Sequence, residues 1–138
     1  VPRVQGLQIV KPPYGRITAI DMNSGDHLWM IANADTPDQI ANHPLLEGVD
    51  LPRTGVPTRS GILLTKTLLF VGERSGTAGV SPIIRAIDKQ TGDIIAEIDL
   101  PDNQTGLPLT YEHDGKQYLA MFVGGSGTPA ELVAFALP

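Results

Sequence analysis

Apolar side chains recur along the chain in short runs of four to seven residues, bounded by Gly, Pro, Asn and Asp. The runs are rich in β-branched and aliphatic residues, which suit a pleated, half-buried surface. They predict strands at Arg16 to Asp21, His27 to Ile31, Ser60 to Thr65, Thr67 to Gly72, Ile83 to Asp88, Ile94 to Leu100, Leu107 to Glu112, Gln117 to Val123 and Glu131 to Leu137. Between them, Asn23-Ser24-Gly25, Gln90-Thr91-Gly92 and His113-Asp114-Gly115 each end in the glycine that supplies a positive φ, so neighbouring strands should be antiparallel.

Residues 33–57 break the pattern with little alternation and four prolines, longer than an ordinary connection. Within them Thr36-Pro37-Asp38-Gln39 reads as a helix start: Thr as N-cap, Pro at the first helical position, an acid in the first turn, Gln at the capping-box position. One short helix is expected from Pro37 to Asn42, stopped by Pro44.

An internal repeat decides the architecture. Ala19-Ile20-Asp21 with Gly25 and Trp29 recurs 67 residues later as Ala86-Ile87-Asp88 with Gly92, Ala96 standing at the Trp position. Removing the 25-residue insertion leaves 42, the length of a four-stranded propeller blade. Leu69-Phe70-Val71-Gly72 likewise returns as Met121-Phe122-Val123-Gly124, and Val133-Ala134-Phe135-Ala136 reads as a degenerate third copy. The expected fold is all-β, a partial β-propeller of about two and a half four-stranded antiparallel blades: residues 1–32 as outer strands of one blade, 33–59 as insertion, 60–100 as a complete blade and 101–138 as an incomplete last one.

Composition narrows the function. Glycine (15) and proline (12) are frequent among 138 residues, while 41% hydrophobic and 18% charged residues allow a core. A net charge of -5 with scattered Lys and Arg offers no basic stripe for nucleic acid. Cysteine is absent, which removes disulfides and thiolate metal sites. No apolar run approaches the roughly 20 residues of a membrane span. Val1-Pro2 opens without Met or an apolar leader, compatible with a piece of a longer protein.

The repeated unit Ala-x-Asp-x3-Gly-x3-Trp joins the last two strands of a blade. Ala19 and Ala86 let the neighbouring blade approach, Asp21 and Asp88 accept from turn amides, Gly25 and Gly92 take the left-handed position, and Trp29 covers the blade junction. In these residues the chain resembles the tryptophan-docking motif of quinoprotein dehydrogenases, eight-bladed propellers that bind pyrroloquinoline quinone (PQQ). Pro13-Tyr14-Gly15-Arg16, Gly55-Val56-Pro57-Thr58-Arg59-Ser60-Gly61, Gly106-Leu107-Pro108-Leu109-Thr110-Tyr111 and the terminal Ala130 to Pro138 narrow the likeness to the C-terminal blades of the membrane-bound glucose dehydrogenase-like branch.

That resemblance implies a periplasmic bacterial parent, anchored to the inner membrane in some relatives, that oxidises a sugar or alcohol with PQQ and calcium. The cofactor sits on the axis, on the face reached by Asn33 to Arg59, Glu73 to Ser81, Pro101 to Leu107 and Gly124 to Ala130. The docking turns lie on the other face. A flat tricarboxylate needs cations and donors, and Arg59 and Thr58 stand at the inner end of a strand, with Asn42, Arg53, Arg74, Thr105 and Ser126 as further donors. The alternative is that these residues only close turns. Where relatives often carry a bulky His or Trp after the paired glycines, this chain reads Gly124-Gly125-Ser126-Gly127. The general base and calcium ligands belong by resemblance to earlier blades, so catalytic and metal residues are expected in neither the insertion acids Asp35, Asp38, Glu47 and Asp50 nor in His27, His43 and His113. No bound PQQ is expected on this segment by itself. Partners should be the remaining blades, or a second copy meeting the open edges through the stretch Gln5 to Val10. A non-catalytic propeller scaffold that binds proteins is the competing class.

Overall fold

The computed structural model describes residues 2–73, 81–125 and 128–137. The chain forms two compact units, residues 1–58 and 59–138, each built on antiparallel strands.

The first unit opens with a hairpin of β1 (Arg3–Val4) and β2 (Leu7–Gln8), turned by Gln5 and Gly6 at φ of 50° and 90°. These strands are too short to show alternation. The hairpin also means that Leu7 and Gln8, expected to seek a partner's edge, already pair with Val4 and Arg3. Next, β3 (Arg16–Ile20) pairs with β4 (His27–Ala32), Ala19 facing Trp29.

The insertion departs from its expected form. Helix α1 (Asp38–Ala41) is a single turn capped by Pro37 with no side-chain cap bond. Thr36 does not cap it, because its hydroxyl accepts instead from the Thr54 amide at 3.0 Å and ties one end of the insertion to the other. Pro44 does not merely stop the helix; it opens a 3₁₀ turn, Pro44–Leu46. His43 caps that turn: Nδ1 accepts from the Leu45 amide at 3.2 Å, which leaves Nε2–H to donate to the Gln5 carbonyl at 2.9 Å. Two glycines let the insertion close on the strands. A Cβ on Gly15 would stand 2.1 Å from the Val56 oxygen, and one on Gly55 would stand 2.2 Å from the Gly15 oxygen. The amides of Tyr14, Asn33 and Val56 donate across this crossing to Thr54, Gly15 and Asn33 respectively.

The second unit holds a four-stranded sheet, β5 (Ile62–Leu64), β6 (Leu68–Glu73), β7 (Ile83–Asp88) and β8 (Ile94–Asp99), in chain order, the expected blade. A three-stranded sheet follows, β9 (Leu109–His113), β10 (Lys116–Gly125) and β11 (Thr128–Ala136), with β10 in the middle. Strand β9 starts after Pro108, which has no amide to give the ladder.

The core lies between these two sheets. Phe70, Ile84 and Ala86 share one face of the first sheet, since Phe70 pairs with Ala86 and Gly72 with Ile84. They meet Leu119, Met121 and Val123 of β10, with Val133 and Phe135 of β11 packed alongside. Each such side chain removed from water contributes about 1.5–3 kcal/mol. The outer face of the last sheet is bare: Phe122 is 51% exposed and Leu132 60%. Strand β11 is thus covered on one side only.

Arg85 on β7 is a feature the alternation hides. Its side chain is 5% exposed and forms ion pairs with Glu73 and with Glu97, the latter at 2.6 Å. Glu97 lies directly opposite on β8, so the charged triad stitches three adjacent strands.

The two repeat turns match bond for bond. Asp21 Oδ1 accepts from the Asn23 and Ser24 amides at 2.7 and 3.4 Å, and Asp88 Oδ1 from Gln90 and Thr91 at 2.7 and 3.0 Å. Gly25 and Gly92 have φ of 80° and 81°, and each donates its amide to the aspartate carbonyl four residues back. Both ladders carry a bulge just after the repeat alanine. Trp29 itself is half-buried, not buried.

Candidate functional site

A polar cavity of about 550 Å³ opens in the second unit, lined by Arg59, Ser60, Asn103, Gln104, Thr105, Gly124, Gly125, Thr128 and Ala130. Three chain segments meet there: the entry to β5, the linker from β8 to β9, and the end of β10 with the start of β11. These are portions of the segments the sequence assigned to one face.

The linker is built like an extra length of strand. Gln104 bridges to Val123, Thr105 donates its amide to Phe122, and Gly124 donates to Asn103. This backbone pairing continues the edge that β9 occupies lower down on β10. Asp102 adjoins the lining residues Asn103, Gly125 and Thr128. Its carboxylate accepts from the Thr128 hydroxyl and from the Asn103 amide at 2.6 Å. Those hydrogen bonds, Thr128 first, hold its carboxyl below the usual value of 3.8, against a small opposing effect of desolvation. Gly125 makes room, because a Cβ there would lie 2.8 Å from Asp102 Oδ1. Gly125 therefore leaves room for the Asp102 carboxylate.

Gln104 forms the wall behind. It is 5% exposed, and its Nε2 donates to the carbonyls of Gly61 at 3.0 Å and Gly106 at 2.7 Å. Its Oε1, like Ser60 Oγ and Asn103 Oδ1, is buried with no hydrogen-bond partner among the described residues. Arg59 stands at the mouth, exposed, with no carboxylate paired to it among the described residues. An exposed guanidinium over a polar wall is the donor set that an anionic, planar ligand requires.

The other expected donors fare differently. Thr105 lines the cavity. Thr58 belongs to the first unit, where its hydroxyl accepts from Asn33 Nδ2 at 3.1 Å. Asn42 is the exposed C-cap of α1. Arg53 is engaged, 2.5 Å from the Asp35 carboxylate. Arg74 and Ser126 lie outside the described residues. The sequence reading missed Ser60, Asp102, Asn103, Gln104 and Thr128. The sequence assigns residues 101–107 to the cofactor face, but of the polar run 102–105 only Thr105 stands out there as a donor.

A four-stranded and a three-stranded antiparallel meander stacked face to face, with the Asp-x3-Gly turn of β3–β4 repeated between β7 and β8, define a partial β-propeller. Residues 1–119 match the family model described as the glucose/ethanol/alcohol dehydrogenase β-propeller domain, PQQ type, and the chain belongs to that family. Over 141 aligned positions it is 38% identical to the glycerol dehydrogenase large subunit of Gluconobacter thailandicus, covering 96% of this chain and 18% of the relative. It is 30% identical to quinoprotein glucose dehydrogenase A of Acinetobacter calcoaceticus, covering 96% of this chain and 16% of that protein. A shorter stretch, 39% of the chain, is 43% identical to methanol dehydrogenase subunit 1 of Paracoccus denitrificans, of which it covers 9%. The chain thus spans less than a fifth of the length of these relatives.

Proposed function

We propose that this chain is a segment of a periplasmic PQQ-dependent dehydrogenase acting on a sugar or polyol, and that it completes the propeller and part of the wall facing the cofactor without supplying catalytic residues. The observation that carries the reading is the exposed Arg59 lining a polar cavity, with no carboxylate paired to it among the described residues, in a chain of this family. Bound PQQ supplies the redox chemistry by taking two electrons from the alcohol. Arg59 would hold one of its carboxylates by charge-assisted hydrogen bonds, with Thr105 as a nearby hydroxyl donor. The base, and the calcium that polarises the quinone, are supplied by parts of the parent outside this chain.

The docking residues act by packing. Trp29 covers a junction between blades, and its half-burial here reflects a partner sheet that the whole protein adds. The same argument applies to the outer face of β10. Phe70 and Phe122 occupy equivalent repeat positions, yet Phe70 is buried by the next sheet and Phe122 is 51% exposed. A further blade covers Phe122 in the parent, and a second copy does so when the segment is alone.

The test is dye-linked oxidation of glucose, glycerol and other polyols by the full-length protein and by the 138-residue chain, each given PQQ and calcium. Activity in the first and none in the second is expected. A full-length protein that is folded yet takes up no quinone would favour the scaffold reading.

A further inference from the structure

The cavity wall behind Arg59 has a single side chain at its centre. Gln104, 5% exposed, reaches from the linker to three glycines. Its Nε2 holds the Gly61 and Gly106 carbonyls, and its Oε1 lies so close to Gly72 that a Cβ there would come within 2.0 Å. On the other side of Gly61 a Cβ would come within 2.5 Å of the Leu107 side chain. The main chain at residue 61 is therefore clamped between Leu107 and the Gln104 amide, two residues after Arg59. Ser60, in between, is half-buried and its hydroxyl has no partner among the described residues.

We infer that Gln104 is the positioning residue of the anion site, acting through the Gly61 carbonyl to aim Arg59 at the cavity. The inference rests on the quinoprotein reading above. A neutral carboxamide suits this place: its two N–H donors satisfy two carbonyls at once, and its oxygen sits against a residue with no Cβ. Glutamate would oppose two carbonyls with an acceptor. Methionine would fill the space and leave both carbonyls without that donor.

The experiment is a double-mutant cycle on the full-length protein, with PQQ itself titrated into the apo form and followed by quenching of tryptophan fluorescence. The variants are Arg59→Gln, Gln104→Met, Gly72→Ala and each of the latter two combined with Arg59→Gln. A thermal melt of every variant identifies those that are folded, and Gly72→Ala displaces the carboxamide without removing it, so the idea stays testable if the methionine variant misfolds. Gln104→Met or Gly72→Ala is expected to weaken PQQ binding about tenfold in the presence of Arg59, and by less than twofold in its absence, because an aim already lost cannot be lost again. Equal losses in both backgrounds, or full affinity in a folded Gln104→Met protein, overturn the positioning role alone. An Arg59→Gln protein that binds PQQ as tightly as the parent overturns both this role and the assignment of Arg59 to the cofactor.

Discussion

The register of β10 makes opposite predictions for two adjacent residues. Met121 is fully buried among Phe70, Ile84 and Val133, whereas Phe122 points to the other side and is 51% exposed. Truncating a buried methionine to alanine removes its transfer free energy and leaves a void, at a cost of about 2–5 kcal/mol. Phe122→Ala, which removes a ring half in water, should cost about 1 kcal/mol or less in the monomer. With a urea slope of about 1–3 kcal/mol per molar, Met121→Ala should lower the midpoint of the second unit by roughly 1–2 M, and Phe122→Ala by a few tenths. The assay is urea unfolding followed by circular dichroism, run dilute so that self-association does not contribute. A one-residue slip would move every side chain of β10 to the opposite face. Equal costs, or a larger cost at Phe122 than at Met121 under dilute conditions, would therefore refute the face assignment on which the stacking of the two sheets rests.

Sedimentation of the isolated chain should show dimers or larger species at micromolar concentration, and Phe122→Ala should shift it toward monomer; a wild-type monomer at high concentration would contradict the bare face. Trp29→Ala should cost about 1–3 kcal/mol in this chain, below the range for a fully buried aromatic, with PQQ affinity of the whole protein unchanged; a selective loss of quinone binding would put the ring on the cofactor face. Arg85→Met leaves Glu73 16% exposed without that guanidinium and should cost about 3–5 kcal/mol, while Glu97→Gln, at a side chain 48% exposed, should cost under about 1 kcal/mol; chemical denaturation of both variants separates a buried triad from a surface one. The Asp102 carboxyl is held below its usual value, so the stability it adds is fully present above that value and is lost as pH falls through the depressed one. The difference in melting temperature between wild type and Asp102→Ala should accordingly be constant near neutrality and shrink in acid, and a difference that grows in acid would reverse the sign.

Much of the fold was written in spacing. A repeat of Ala, Asp and Gly fixed both turns because each residue answers a local need: a carboxylate accepting two amides, and a left-handed φ. Strands with apolar runs were equally legible. What stayed hidden depends on contacts distant in sequence. Thr36 had every local mark of an N-cap, but the Thr54 amide, 18 residues on, took its hydroxyl. Arg85 sits on a strand where alternation implies solvent, and the flanking Glu73 and Glu97 make its burial tolerable. The site was half legible. Arg59 and Thr105 could be placed by strand direction, and both line the cavity; Gln104 could not, since its two carbonyl partners include one 43 residues away.

The central claim is that the cavity beside Arg59 faces the quinone, and chemical footprinting tests it most directly. The full-length apo protein is treated with phenylglyoxal, with and without saturating PQQ, and each arginine is scored by peptide mass spectrometry. Arg59 is exposed and should react readily in the apo form, whereas Arg85, 4% exposed, should react in neither. The account predicts that PQQ protects Arg59 while Arg16, exposed on β3, stays equally reactive. Equal modification of Arg59 with and without bound quinone would contradict it.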